Sequence, residues 1–184
     1  MLCQPESRGY PLGGEKPGKR GRGAEGKTLV VIAAQEDGEA TGRIRLKQVA
    51  DASGKSLKAA VQETIEPKSV VKTDGWGGYN ALRSLGYKHK VIRKTANVGE
   101  NLLPLCHREA GLIKRWLAGT HQGAVSHEHL AYYLDEYTFR FNRRTSNYRG
   151  KLFYRLLQNA VILDPVRYDD VTLAVRGPKP KHKM

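Results

Sequence analysis

The sequence predicts an α/β fold, with a mixed sheet flanked by helices, on three observations. The first is a β-hairpin, in which residues 28–34 are a continuous apolar run, Asp37-Gly38 is a turn pair, and residues 42–49 alternate polar with apolar side chains. The second is the helical spacing of apolar side chains through residues 53–65. The third is a further β-branched run at residues 70–71. Strands that alternate with helices are the pattern of an α/β domain.

Each predicted element has local signals for its ends. The first hairpin strand is apolar throughout, which predicts burial on both faces, whereas the alternation in the second predicts one solvent face. Ser53 opens the following helix and Pro67 stops it. The next strand ends at Asp74, a short helix is predicted near residues 80–85, and residues 87–93 are predicted as another strand.

The second half of the chain is predicted to be helical. Helices are expected over residues 105–117, 128–141 and 152–163, with a break at the glycine-containing residues 119–123. The first of these helices is expected to direct three side chains to the core: Ile113, Trp116 and Leu117. The second has an apolar stripe, formed by Leu130, Tyr133, Leu134, Tyr137 and Phe141.

Composition divides the chain into three segments. Residues 1–27 are predicted as a flexible, basic segment rich in Gly and Pro. Residues 28–163 hold the α/β domain with its C-terminal helices, and residues 164–184 are predicted as a basic, Pro-rich tail. A length of 184 residues fits one domain with a substantial core.

The charge of the chain predicts a polyanionic partner. The formal net charge is +14, yet 27% of the residues are charged and both signs occur, which indicates a basic face on a folded body and a nucleic acid as its partner. No apolar run approaches the roughly 20 residues that span a bilayer, so no membrane partner is expected. Cys3 and Cys106 lack the spacing of a zinc ribbon or a disulfide framework. With no signal peptide visible, we expect a cytoplasmic setting.

Asp74 is the candidate functional residue that the pattern itself singles out. It follows a β-branched strand and precedes a turn with glycines at 75, 77 and 78. The carboxyl end of a strand is where open α/β folds bind ligands and metals, and glycines let the backbone approach a ligand closely. The alternative is that Asp74 caps the helix that follows it. The strand and the turn leave both roles open.

Four segments in order resemble the ISXO-type domain of bacterial insertion-sequence DDE transposases. They are residues 72–79, His107 followed by residues 114–117, residues 119–123, and residues 133–144. The resemblance extends from about Gly13 to Val161.

The resemblance implies a ribonuclease-H-like core that binds two divalent metals, Mg²⁺ or Mn²⁺, through acids on two adjacent strands and on a later helix. The activity it implies is metal-dependent DNA strand cleavage and transfer, in which one metal activates the attacking oxygen and the other stabilises the leaving oxygen. Within that scheme Asp74 corresponds to the second acid of the family. The expected partners are double-stranded DNA, at the ends of the element and at the target, and further copies of the chain in a homo-oligomer. The expected location is the nucleoid.

The first acid of the family has no counterpart in this sequence. Relatives have an Asp-Glu-Thr-Tyr segment before a Gly-Gly pair, whereas here Arg8, Gly9, Tyr10 and Pro11 stand in that segment. Glu6 is the nearest acid upstream, in a stretch that Pro5 interrupts. A truncation or frameshift near residue 12 explains this loss, and it predicts that the opening strand is missing or degraded. We expect a site without its first carboxylate to bind metal weakly and to be inactive.

The third acid is best matched by Glu109, which stands 35 positions after Asp74. An alignment on His107 places the third ligand nearer Leu112, one helical turn away. A solvent-facing position for Glu109 is the alternative. Asp135 and Glu136 are further options, although acids in such a helix often pair with nearby arginines.

Five cations are the expected contacts to the DNA backbone, because neutralising phosphates needs clustered positive charge. They are Lys114, Arg115, Arg140, Arg143 and Arg144. Their alternative is a solvated helix face. His107 and His121 are candidate contacts to DNA phosphate or to the metal site, with a structural or surface position as the alternative. Trp76 and Trp116 are expected in the core, with base stacking as the alternative for Trp76 in its turn. A non-catalytic, basic DNA-binding module is the competing function.

Overall fold

The computed structural model describes residues 2–3, 28–92, 103–122, 125–126 and 128–173. The chain divides into two compact units between Asn142 and Arg143. The first unit contains strands β1 (Leu2–Cys3), β2 (Leu29–Asp37), β3 (Ala40–Val49), β4 (Val70–Thr73) and β5 (Lys88–Val91), helices α1 (Gly54–Thr64), α2 (Pro104–Thr120) and α3 (Leu130–Phe141), and a 3₁₀ helix (Gly77–Leu82). The second unit contains α4 (Arg149–Ile162) and α5 (Tyr168–Leu173).

The strands of the first unit form an antiparallel and a parallel group. β2 pairs antiparallel with β3 on one side and with β1 on the other, and β4 pairs parallel with β5. β1 also lies beside β4. The predicted α/β class is therefore confirmed. A strand does precede the hairpin, although it has only two residues, and the segment of Arg8 to Pro11 lies outside the described residues.

The predicted hairpin is confirmed, with Gly38 in its turn at a φ of +60°. β2 is buried on both faces, as its apolar run predicts: Ile32 packs in a cluster with residues of α2 and α3, whereas Val31 packs in a second cluster with residues of α1. β3 has one wet face, because Ile44 is buried while Arg45 is exposed. β2 is thus the strand between the two layers of helices.

The helix between β3 and β4 is capped as the sequence predicts. The Ser53 hydroxyl accepts a hydrogen bond from the backbone N–H of Ser56 at 3.3 Å, and Leu57 and Val61 are fully buried on the inner face of α1. Hydrogen bonds from Ser53 and Ser56 lower the pKa of Asp51 to about 2.

Three predicted boundaries differ from the structure. The helix expected near residues 80–85 is a 3₁₀ helix that begins three residues earlier, because burial of Tyr79 and Leu82 fixes the turn directly after β4. α2 continues to Thr120, so the break predicted at residues 119–123 starts later. α5 lies within the segment predicted as a tail, of which residues 174–184 lie outside the described part. In the described part of the chain, no helix is long and apolar enough to cross a membrane.

Candidate active site

Asp74 closes a tight turn at the end of β4. Its side chain is half-buried, and Oδ1 accepts a hydrogen bond from the backbone N–H of Trp76, two residues on, at 3.1 Å. The 3₁₀ helix begins at Gly77, and its N-cap residue Trp76 makes no side-chain capping bond. Asp74 therefore accepts a hydrogen bond in the turn that leads into the 3₁₀ helix. Gly75 supplies the positive φ, +81°, which the turn requires.

A buried hydrogen-bond pair fixes the backbone on which Asp74 lies. Thr73 is fully buried on β4, and its hydroxyl lies 2.8 Å from Nε2 of His89 on the adjacent strand β5. The same hydroxyl accepts a bond from the N–H of Gly75 at 3.3 Å. Burial, and to a lesser extent the charge of Arg83, lower the pKa of His89, which favours a neutral imidazole in this hydrogen bond.

The Thr73–His89 pair is not among the predictions from the sequence, although the sequence contains a signal for it. Lys88, His89 and Lys90 alternate along a predicted strand, which turns the histidine inward when both lysines face solvent. The structure has this arrangement, with His89 buried and both lysines exposed.

The turn after Asp74 also packs tightly against the start of α1. A Cβ at Gly78 would lie 2.5 Å from Cδ1 of Leu57 and 3.1 Å from the carbonyl oxygen of Ala52, so only glycine fits. The indole Nε1 of Trp76 donates to that same carbonyl at 3.1 Å. Trp76 is 38% exposed, so the prediction that it lies in the core is wrong. Its ring lies on the outer side of the turn, and its N–H binds the loop before α1.

Glu109 is a buried carboxylic acid on α2. Only 1% of its surface is exposed, and α2 packs against β1 and β2, where the Cys106 thiol lies 3.8 Å from the Ile32 carbonyl oxygen. The solvent-facing alternative for Glu109 is therefore wrong. The signal was in the sequence, because Glu109 is three residues after Cys106 and four before Ile113, on the stripe that faces the core. A buried carboxylate is costly unless charge or hydrogen bonds compensate it.

The remaining acids are less suited to a metal site. Asp135 and Glu136 are exposed on α3, and Glu136 pairs with Arg140 at 3.2 Å, as acids in this helix were expected to do. Leu112, at the alternative alignment, is half-buried and has no ligand atom. Glu6 lies outside the described residues. Within the part that the structure describes, no group of three or more His, Cys, Asp and Glu side chains is close enough to hold a metal.

A comparison with known protein families shows which family the chain belongs to. Residues 6–142 match the family described as the ISXO2-like transposase domain. The chain belongs to this family. No curated protein and no solved structure matches it. The match confirms the predicted insertion-sequence DDE transposase relationship, and it includes Asp74 and Glu109.

The candidate DNA-binding cations of the transposase domain lie in both units. On α2 Lys114 is half-buried and Arg115 is exposed. Arg140 on α3 is exposed and paired with Glu136, but a surface pair of this kind contributes only about 0–1 kcal/mol and leaves the guanidinium available to a phosphate. In the second unit Arg143 is half-buried and Arg144 is exposed.

His121 belongs to an aromatic cluster between α2 and α3. Its ring centroid lies 4.7 Å from that of Trp116 and 4.4 Å from that of Tyr133, and Trp116 also packs against Tyr137 at 5.2 Å. These contacts favour the structural role for His121 and agree with the packing role expected for Trp116. His107, in contrast, is exposed on α2.

Asn142 attaches the end of α3 to the sheet. Its Oδ1 accepts from the backbone N–H of Ile44 at 2.7 Å, and its Nδ2 donates to the carbonyl oxygen of the same residue at 2.9 Å. The side chain therefore satisfies the edge of β3 as a neighbouring strand would. This asparagine falls inside a family segment, but no local pattern indicates a partner 98 residues away.

Proposed function

We propose that this transposase domain binds double-stranded DNA, and that Asp74 and Glu109 are two acids of a divalent-metal site for strand cleavage and transfer. Membership of the family supports a role in DNA transposition. The single observation that carries the assignment of the site is the burial of Glu109 on α2. We further propose that the absent first acid leaves the domain able to bind DNA but unable to cleave it.

The arrangement of the elements supports the pairing of these acids. The family resemblance implies acids on two adjacent strands and on a later helix. β1 lies beside β4, which ends directly before Asp74, and it also contacts α2, which carries Glu109. A ribonuclease-H-like core would have its first acid on the opening strand, and β1 is the first strand that the structure describes.

The chemistry of the two side chains fits a hard divalent cation. Mg²⁺ and Mn²⁺ prefer carboxylate oxygens, and Mg²⁺ usually uses only one or two protein carboxylates. When bound, such ions would supply activation of the attacking oxygen and stabilisation of the leaving oxygen. The residues of the chain contribute orientation: the turn bond to Trp76 and the Thr73–His89 pair hold Asp74 at the end of β4.

DNA binding is assigned to the five cations on α2, on α3 and in the second unit. They are Lys114, Arg115, Arg140, Arg143 and Arg144. Side chains that neutralise phosphates make affinity fall steeply with salt. A DNA partner would locate the domain at the nucleoid. Association into a homo-oligomer is part of this proposal, and exposed apolar side chains of α4, including Phe153, Leu157 and Val161, support it.

Metal binding and DNA cleavage are tested separately. We expect Mn²⁺ to raise the unfolding temperature of the domain, and Asp74→Ala and Glu109→Gln each to abolish that rise. Asp135→Asn is the matched control, because Asp135 is an exposed acid away from the sheet. An equal Mn²⁺ effect in all four proteins would contradict the assignment of the site.

Cleavage is tested on DNA that carries the ends of the element, with Mg²⁺ or Mn²⁺. We expect no nicking by the unchanged chain. We expect Asp74-dependent nicking when Asp-Glu-Thr-Tyr replaces residues 8–11, because the replacement restores the family's first acid. Robust nicking by the unchanged chain that Asp74→Ala abolishes would overturn the claim of inactivity.

The competing function is a DNA-binding module without any metal site. The segment from Arg8 to Pro11, which lacks a carboxylate, favours it. Salt-dependent DNA binding that neither Mn²⁺ nor Asp74→Ala changes would support this function over the proposed one.

A further inference from the structure

We propose that α4 is a dimerisation helix, which pairs antiparallel with the α4 of a second copy of this chain around a two-fold axis between Leu156 and Leu157. This pairing gives the homo-oligomer of the proposed function, on which it rests, a surface, a partner and an orientation. α4 spans Arg149–Ile162, so it lies beyond residues 6–142, which match the transposase family, and it contains neither of the candidate acids.

The apolar side chains of α4 are exposed. Among the described side chains of this helix Leu152 is half-buried and the others are exposed, including Phe153 at 65%, Leu156 at 49% and Val161 at 85%. A helix of 14 residues is marginally stable in water unless an apolar face packs against another surface. Contiguous apolar side chains that remain exposed mark an interaction surface.

Four of these residues form a stripe along one face of the helix, which we call the α4 stripe. They are Phe153, Leu156, Leu157 and Ala160, at the spacing i, i+3, i+4 and i+7 that places side chains on one face of a helix. The helical repeat places Arg155 and Gln158 on the opposite face. α4 therefore has the one-sided apolar pattern of a helix that packs on a partner.

The α4 stripe complements itself when the second helix runs in the opposite direction. Phe153 and Ala160 are equally far from the midpoint between Leu156 and Leu157, so an antiparallel copy centred there places each phenylalanine against the alanine of the other copy. The largest and the smallest side chains of the stripe then fill each other's space, and each leucine meets its own copy at the axis. A parallel pair would instead place Phe153 against Phe153 and Ala160 against Ala160, which gives a clash and a gap.

The charges at the two ends of α4 favour the same orientation. Lys151 lies in the first turn, where the helix dipole is positive; this turn has no acidic residue, and the N-cap residue Tyr148 makes no side-chain capping bond. Asp164 is exposed and follows the other end of the helix. In the antiparallel pair positions 164 and 149 of the two copies are equally far from the axis, so each Asp164 lies near the positive end of the other helix.

These features fit a second copy better than a nucleic acid. A phosphate backbone attracts cations and repels acids, whereas the α4 stripe is uncharged and three exposed acids follow the helix: Asp164, Asp169 and Asp170. A second copy supplies an identical apolar stripe together with a complementary charge at each end. The same surface is then used by both partners.

Self-association of the full chain tests this pairing, in the absence of DNA and metal. We expect sedimentation equilibrium to show a monomer–dimer equilibrium. Leu156→Lys is expected to raise the dissociation constant by about 100-fold or more, because the two-fold axis brings the lysines of both copies together at the centre of the stripe. Gln158→Lys is the matched control, since it adds the same charge to the opposite, exposed face, and we expect it to leave the dissociation constant unchanged. Circular dichroism of both variants is expected to match that of the unchanged chain.

Two cysteine variants test the orientation, in chains that also carry Cys3→Ser. In the antiparallel pair the two copies of residue 156 are offset along the helix by about 1.5 Å, and those of residue 160 by about 10 Å. A disulfide requires Cα atoms within about 7 Å of each other. We therefore expect Leu156→Cys to form a cross-linked dimer on oxidation and Ala160→Cys to form none. Cys106 is buried and stays unchanged in both.

A chain that stays monomeric at every concentration would overturn the dimer, and binding of that monomer to phosphatidylglycerol vesicles would identify the stripe as a lipid-binding surface instead. Equal dissociation constants for Leu156→Lys and Gln158→Lys would also overturn it, although the homo-oligomer of the proposed function would stand. Efficient cross-linking through Ala160→Cys would overturn the antiparallel orientation. The assignment of Asp74 and Glu109 is independent of these results, because the assay contains neither metal nor DNA.

Discussion

Gly78→Ala is expected to destabilise the domain by displacing the turn that carries Asp74. The new Cβ would lie 2.5 Å from Cδ1 of Leu57, 3.0 Å from Nε1 of Trp76 and 3.1 Å from the carbonyl oxygen of Ala52. Leu57 is fully buried and the carbonyl belongs to the backbone, so neither moves without disturbing its neighbours. The turn after Asp74 must then shift away from α1.

The expected loss of unfolding free energy follows from these contacts. Overpacking by one methyl group costs about 1–3 kcal/mol, and the smaller entropy of the unfolded chain returns about 0.4–1 kcal/mol. The net loss is about 1–2 kcal/mol of unfolding free energy, which corresponds to a fall of about 2–8 °C in Tm for a chain of this length.

The assay is urea unfolding followed by circular dichroism, and the same turn supplies the control. At Gly77 the nearest atom to a new Cβ is Nδ2 of Asn80, 4.0 Å away, so Gly77→Ala meets no obstacle. We expect Gly77→Ala to be neutral or slightly stabilising. Equal stability of the two variants would refute the claim that the turn is packed against α1.

Two further predictions concern side chains that form hydrogen bonds to strands of the sheet. Asn142→Ala is expected to lower the unfolding free energy by about 1–3 kcal/mol, because the backbone N–H and carbonyl oxygen of Ile44 each lose a hydrogen bond. The measurement is urea unfolding, and an unchanged midpoint would contradict this role of the amide. The pKa of His89 is lowered from 6.5 by burial, so its contribution to stability is complete above pH 6.5 and is lost as the pH falls through the lowered value. Urea unfolding measured from pH 7.5 to 5 is expected to show this loss. His89→Gln keeps a hydrogen-bonding partner for Thr73, and we expect its unfolding free energy to depend less on pH. Equal pH dependence in the two proteins would exclude His89 as the cause.

Local patterns predicted much of the fold. The apolar run of β2, the alternation of β3 and the Ser53 cap of α1 each depend on neighbouring residues, and all three are present in the structure. The 3₁₀ helix after β4 was predicted too late because its position depends on the burial of Tyr79 and Leu82, which is a tertiary effect.

The candidate site was predictable only in part. Asp74 was found because a strand end and a glycine turn mark it locally. The spacing of Glu109 along α2 and the alternation around His89 point both side chains inward, but the strands that α2 packs against and the contact of His89 with Thr73 depend on the tertiary structure.

The order of strands and helices, the basic character and the transposase family follow from the amino-acid sequence alone, because periodicity, turn residues and family segments are properties of neighbouring residues. The surroundings of Glu109 and the contacts that hold the turn after Asp74 follow only from packing between distant segments. These features depend on contacts between distant segments, such as the one between Ile44 and Asn142 across 98 positions. Such contacts form only when the helices pack on the sheet.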